Sequence, residues 1–260
     1  MRKQLNGYVV ADEDQAFYDF FGFQAFSPQM VRSALEELPE GEDLVLEINS
    51  GGGSVFAGFE IYSVLRSATQ PTVAEVQSVA ASAASVIMLG CQEVVASPVA
   101  QVMIHLPLMR TDGNRYDHVE SIGVLDSITE SILNAYMVKS HGLSTRDELK
   151  RMMRTSTWLT APEAKGLGLV DRILGEETID PNAILNCAGG VSHGIRAMGA
   201  RPMPDPKALR AEYDRLVAEG KAPAMGTPPP QKAPEDPPPA EDQSKLQAAV
   251  ARLALEKMRF

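Results

Sequence analysis

LVLEINSGGGSVFAGFEIYSVLRSATQPTVAEVQSVAASAASVIMLG, residues 44–90, decides the fold. LVLEINS (44–50) reads as a strand that runs into the triplet Gly51, Gly52, Gly53. VFAGFEIYSVLRSA (55–68) reads as a helix, PTVAEVQSV (71–79) as a second strand, and AASAASVIMLGC (80–91) as a helix of small residues. Outward from there, EVVASP (93–98) and QVMIHLP (101–107) read as short strands. Residues 116–139 form a long amphipathic helix, with Leu125, Ile128, Ile132, Leu133 and Tyr136 at helical spacing. Helices are expected at 145–154 and 160–166, and a last strand around 168–174. Strands alternating with helices predict an α/β architecture in layers, with a mostly parallel sheet. No internal repeat of fixed period is present.

The composition supports a packed core: 44% of the 260 residues are hydrophobic and 22% charged. A net charge of −10 argues against nucleic acid as a partner, because phosphate binding needs clustered Lys and Arg. No apolar run approaches the roughly 20 residues of a spanning helix, and no signal peptide is apparent, so a cytoplasmic protein without membrane contact is expected. Cys91 and Cys187 lack metal-ligand spacing. His105, His118, His141 and His193 are scattered, so neither a metal nor any cofactor is expected.

Composition divides the chain into a domain over 1–175, an extension over 176–221 with a helical pattern at 206–219, a proline-rich linker over 222–242, and a terminal helix over 243–260. Proline forbids both helix and central strand in the linker, which should be extended. The terminal helix is read either as a docking peptide or as a frayed end.

Three features carry chemistry only in combination. The glycine triplet at a strand-to-helix junction is a tight turn, or a pocket of backbone N–H groups for a negative oxygen. No GKS or GKT follows, so a phosphate loop is disfavoured. Ser82, flanked by alanines, is an N-cap or an exposed nucleophile. His105 ends an apolar strand as a core residue or as a base. A hydroxyl needs an adjacent base to attack at neutral pH, and imidazole has the right affinity for the proton.

INSGGGSVFAGFEIY (48–62), AASAASVIMLG (80–90), VMIHLP (102–107) and TWLTAPEAKGLGLVD (157–171) resemble, in order and spacing, the signature blocks of ClpP-like serine peptidases. The resemblance covers roughly residues 16–175. It is closest to the head maturation (prohead) proteases of phages and prophages, whose flavour is seen in FYDFFGFQAFSPQMVRSALEELP, SAASVIM and TWLTAPEA. It implies a ClpP/crotonase-like layered fold and a serine endopeptidase with Ser82 as nucleophile and His105 as general base. The backbone N–H groups of Gly53 and Ala83 would be oxyanion donors, and Gly52 and Ser54 would contact an extended peptide added as a strand. Ser85 falls at a helix-packing position.

The family's acid should stand about two residues before the aromatic of the TWLTAPEA block. Here that residue is Ser156, a candidate third member that can accept an Nδ1–H bond but supplies no charge. Asp147, Glu148 and Asp171 are the carboxylates that could approach instead, with Asp171 read as structural. The resemblance further implies a homo-oligomeric ring built through the long helix, and protein substrates, with capsid and scaffold proteins the expected ones. Three other readings stand beside it. One is a housekeeping ClpP-type subunit and one a catalytically impaired assembly or scaffold protein. The last is a crotonase-like acyl-CoA enzyme, which the AASAAS and MIH blocks disfavour.

Overall fold

The computed structural model describes residues 1–175 and 203–222. The linker and terminal helix expected over 222–242 and 243–260 lie outside the described residues from 223 onward. So do most of the extension, Cys187 and His193.

Among the described residues eight strands form one sheet: β1 (Arg2–Val9), β2 (Ala25–Phe26), β3 (Leu44–Gly53), β4 (Thr72–Ala81), β5 (Glu93–Ala96), β6 (Gln101–Ile104), β7 (Thr157–Thr160) and β8 (Arg172–Ile173). The main path runs β2-β1-β3-β4-β5-β8, every neighbouring pair parallel. The α/β, mostly parallel architecture is therefore as the sequence implies. β4 is long enough to serve two partners. Its first half pairs with β5, and its last residues, Val79–Ala81, pair with β6, which continues antiparallel into β7. Parallel neighbours need crossovers, and helices supply them. These are α2 (Pro28–Glu36), α3 (Val55–Ser67) and α4 (Ala83–Met88), with α5 (Arg115–Ser140), α6 (Arg146–Arg154) and α7 (Ala161–Gly166) following β6 and β7.

The core lies between sheet and helices. Leu44, Leu46, Ile48 and Ser50 alternate onto one buried face of β3, as period-2 geometry requires. Ile61 and Leu65 of α3 and all six residues of α4 are buried in the same unit. Lys139 of α5 is also buried, and its ammonium reaches Asp171 at 2.5 Å.

Chain contacts separate two units. The first holds residues 1–12 and the described chain from 24 to 175, including the whole sheet. The second combines 13–23, most of α1 (Asp12–Phe20), with α8 (Pro206–Ala218). Within it Tyr213 meets Phe17 and Phe20 edge-to-face, with ring centroids 5.2 and 5.1 Å apart. Arg210 stacks over Phe17, and the Tyr18 hydroxyl donates to the Pro204 carbonyl at 2.8 Å. Among the described residues no helix is long and apolar enough to cross a membrane.

Two local readings change. The glycine triplet is not a turn: residues 51–53 continue β3, because β1 pairs alongside them as far as Val9 and Gly53. The helix expected from residue 80 begins at Ala83, since Ala80 and Ala81 are held in β4 by β6.

Candidate active site

Ser82 sits in the sharp turn between β4 and α4. Its backbone is at φ 55°, ψ −124°, a region that non-glycine residues seldom occupy. Two features hold it there. Its N–H donates to the Met103 carbonyl of β6 at 2.9 Å. Its carbonyl accepts the Ser85 N–H at 3.0 Å and the Ser85 hydroxyl at 2.6 Å. Ser82 occupies the N-cap position of α4, as one of its two readings has it, but its hydroxyl makes no cap bond to the helix.

That hydroxyl points instead at His105. Oγ lies 2.7 Å from Nε2, across 23 positions of chain. β6 makes the meeting: it pairs with the end of β4 and delivers His105 one residue past its own last strand residue, Ile104. The imidazole is half-buried, and burial pulls its pKa below the ordinary histidine value, with no charged neighbour offsetting the shift.

The glycine run borders the same turn. A methyl group on Gly52 would come within 2.7 Å of the Ala81 carbonyl and of Ser82 Cβ, and 3.0 Å from the Ala83 nitrogen. Gly52 also has φ +95°, so only glycine suits this close approach. Its own N–H is held by Ser50 Oγ at 3.1 Å, and Ser50 in turn donates to the Gly7 carbonyl at 2.6 Å. Ser54 donates its N–H to the Val9 carbonyl at 2.8 Å, and its hydroxyl caps α3 through Ala57. The polar groups of Gly52 and Ser54 are thus occupied within the chain. Gly53 differs. In a parallel ladder the residue bracketed by its partner turns its own amide to the opposite edge. Gly53 is so bracketed by Val9, and the β3–β4 register ends at the Ser50–Ala80 pair, so β4 supplies no register partner for Gly53. The Ala83 N–H opens α4 and has no acceptor within that helix.

Ser156 stands one step beyond the last β6–β7 register pair, Ile104 with Thr157, so it is the residue across from His105. It is exposed, at φ 51°. Among the described residues neither its hydroxyl nor His105 Nδ1 has a hydrogen-bond partner. Asp171 is engaged elsewhere, its Oδ2 accepting the Val94 N–H at 2.6 Å as well as Lys139. Asp147 and Glu148 lie in the first turn of α6, and neither perturbs His105.

Sequence reasoning missed Ser50, and it placed Ser85 only as packing. Both are buried hydroxyls on otherwise apolar faces, and such groups need partners. That signal was available for Ser50, which follows Leu46 and Ile48 at period 2. Tyr136, whose hydroxyl lies 2.7 Å from Ser85 Oγ, was read only as part of an apolar stripe. Among the described residues no group of His, Cys, Asp and Glu side chains is placed to hold a metal ion.

Residues 24–177 match the family model described as Clp protease. The chain is 33% identical over 144 residues to the ATP-dependent Clp protease proteolytic subunit 1 of Chlamydia abortus, covering 54% of this chain and 74% of that one. It is 28% identical over 142 residues to the proteolytic subunit of Bacteroides fragilis, covering 54% and 68%. To the proteolytic subunit 1 of Salinibacter ruber it is 26% identical over 163 residues, covering 61% and 68%.

Proposed function

This chain belongs to the Clp protease family, a family of serine peptidases, and from that premise we propose that it is an endopeptidase acting through an acyl-enzyme on Ser82. The observation that carries the reading is the 2.7 Å contact between Ser82 Oγ and His105 Nε2, made from a backbone turn that costs energy to hold.

A substrate peptide lies extended beside the glycine run. His105 Nε2 accepts the Ser82 proton as Oγ bonds to the scissile carbonyl carbon. The oxygen, now negative, faces the amides of Gly53 and Ala83. The intermediate collapses with cleavage of the C–N bond, and His105 returns its proton to the departing amine. Water then repeats the sequence, and the acid product leaves with Ser82 restored. Because Nε2 accepts, the neutral imidazole carries its proton on Nδ1, where a carboxylate would stabilise the cation. With Ser156 in that place, His105 works without a counter-charge.

The finer reading is cleavage of capsid and scaffold proteins during phage head maturation. It is supported by the prohead-protease character of residues 17–39, SAASVIM and TWLTAPEA, and by a chain that continues well past the matched residues. Assembly through α5 belongs to the same reading. The N-terminal half of α5 presents Tyr116, Val119 and Ile122 to solvent at 77%, 55% and 58% exposure, an apolar face suited to a second copy. The serine at position 156 favours one alternative, a non-hydrolysing assembly protein.

A fluorophosphonate probe separates these readings. The unaltered chain is expected to be labelled on Ser82 and to hydrolyse peptides, and Ser82→Ala, still folded, to lose both. An unlabelled Ser82, or hydrolysis that survives Ser82→Ala, would remove the peptidase reading.

A further inference from the structure

Ser85 and Tyr136 are enclosed, at 0% and 1% exposure, and peptide hydrolysis as described above uses neither. Their bonding has a fixed direction. Ser85 Oγ lies 2.6 Å from the Ser82 carbonyl oxygen, which can only accept, so the single hydroxyl hydrogen of Ser85 is committed there. The 2.7 Å contact between Ser85 Oγ and the Tyr136 hydroxyl must then be donated by tyrosine. The relay runs from Tyr136 O–H to Ser85 O–H to Ser82 C=O. Burial raises the phenol pKa well above its usual value, so Tyr136 stays a donor at any working pH.

The end of the relay matters because of peptide geometry. The Ser82 carbonyl and the Ala83 N–H are opposite ends of one planar trans unit, so holding the first aims the second. We propose that Tyr136 and Ser85 are positioning residues that lock the Ser82–Ala83 peptide with its N–H directed at the developing oxyanion. This rests on the reading of Ser82 as nucleophile. The lock answers a specific instability. Ser82 is strained at φ 55°, and rotating its ψ would relax the turn while swinging the Ala83 amide away. The Ser85 N–H bond to the same carbonyl, at 3.0 Å, is an ordinary helical turn; the side-chain relay adds a second, independent bond. Two donors on one carbonyl also polarise that peptide and strengthen its N–H as a donor.

The test compares Tyr136→Phe and Ser85→Ala with the unaltered full chain and with Ser82→Ala. The probes are a fluorogenic peptide and a peptide boronate that forms a tetrahedral adduct on serine. In both relay variants kcat should fall about tenfold to a hundredfold while KM stays within about twofold, since only the transition state uses the aimed amide. Boronate affinity should fall by the same factor as kcat, and the pH midpoint set by His105 should not move. Unchanged kcat and boronate affinity in both variants overturn the proposal. So does a loss that appears in KM, or one that only tracks a lower fraction of folded protein. If Tyr136→Phe does not fold, Ser85→Ala gives the same readings. A Ser82→Ala chain as active as the unaltered one sinks the nucleophile assignment itself. An inactive Ser82→Ala beside fully active relay variants sinks the relay alone.

Discussion

Among the described residues two serines adopt positive φ, Ser82 at 55° and Ser156 at 51°, and both are placed around His105. Their surroundings differ. Ser82 is held at every polar atom: N–H on Met103, carbonyl on Ser85, hydroxyl on the imidazole. Ser156 is tied only by its N–H to the Met153 carbonyl at 3.2 Å, and its side chain is exposed. A strained residue persists where neighbours over-determine it, and those neighbours are buried hydroxyls and strand ends. The nucleophile side of the site is therefore held by several bonds, whereas Nδ1 has no hydrogen-bond partner among the described residues.

The sharpest way to break this contrast is Gly52→Ala. The added methyl group would press on Ser82 Cβ and the Ala81 carbonyl at 2.7 Å, displacing the turn. Hydrolysis should drop on the order of a hundredfold or more, because misplacement by about 1 Å costs that much. A chain that keeps full kcat would show the turn to be less constrained than its bonding suggests.

The opposite experiment builds up the other side. Ser156→Asp puts a carboxylate across from His105, and aspartate tolerates positive φ better than most residues. Of the roughly 10⁴-fold that an orienting acid contributes, a gain of about ten- to a hundredfold in kcat/KM is expected. The pH profile should shift with it. In the unaltered chain burial lowers the His105 pKa, and the base works when neutral, so kcat/KM should rise with pH through a midpoint below 6.5. A neighbouring carboxylate favours the imidazolium, so the midpoint in Ser156→Asp should move upward. A gain in rate with an unmoved midpoint would mean that the new acid acts somewhere other than on the imidazole.

The smallest effect is reserved for Ser156→Ala. With no bond to the imidazole to lose, kcat/KM should change by less than about twofold and stability by less than about 0.5 kcal/mol. A tenfold loss would reveal a hydroxyl–imidazole contact formed only with substrate bound.

Much of this was legible in the chain. The apolar alternation of LVLEI and the helical spacing of Leu125 to Tyr136 survive as β3 and α5, because burial on one face is recorded in the residues themselves. The first strand was not. RKQLNGYV is mostly polar, buries only Leu5 and Val9, and is a strand because β3 pairs with it. The same pairing turns the glycine run from a loop into a strand edge, and β7 exists through its ladder with β6.

The sequence by itself determined which groups could do chemistry: a serine among small residues, a histidine after an apolar strand, glycines that permit close approach, and no carboxylate at position 156. Those facts are local, fixed by residue type and order. Only the tertiary structure decided how the groups meet, bringing Oγ to 2.7 Å from Nε2, engaging Asp171 with Lys139, and setting Tyr136 behind Ser85. Such contacts join segments distant in the chain, and they are settled by strand register and packing that no single stretch specifies.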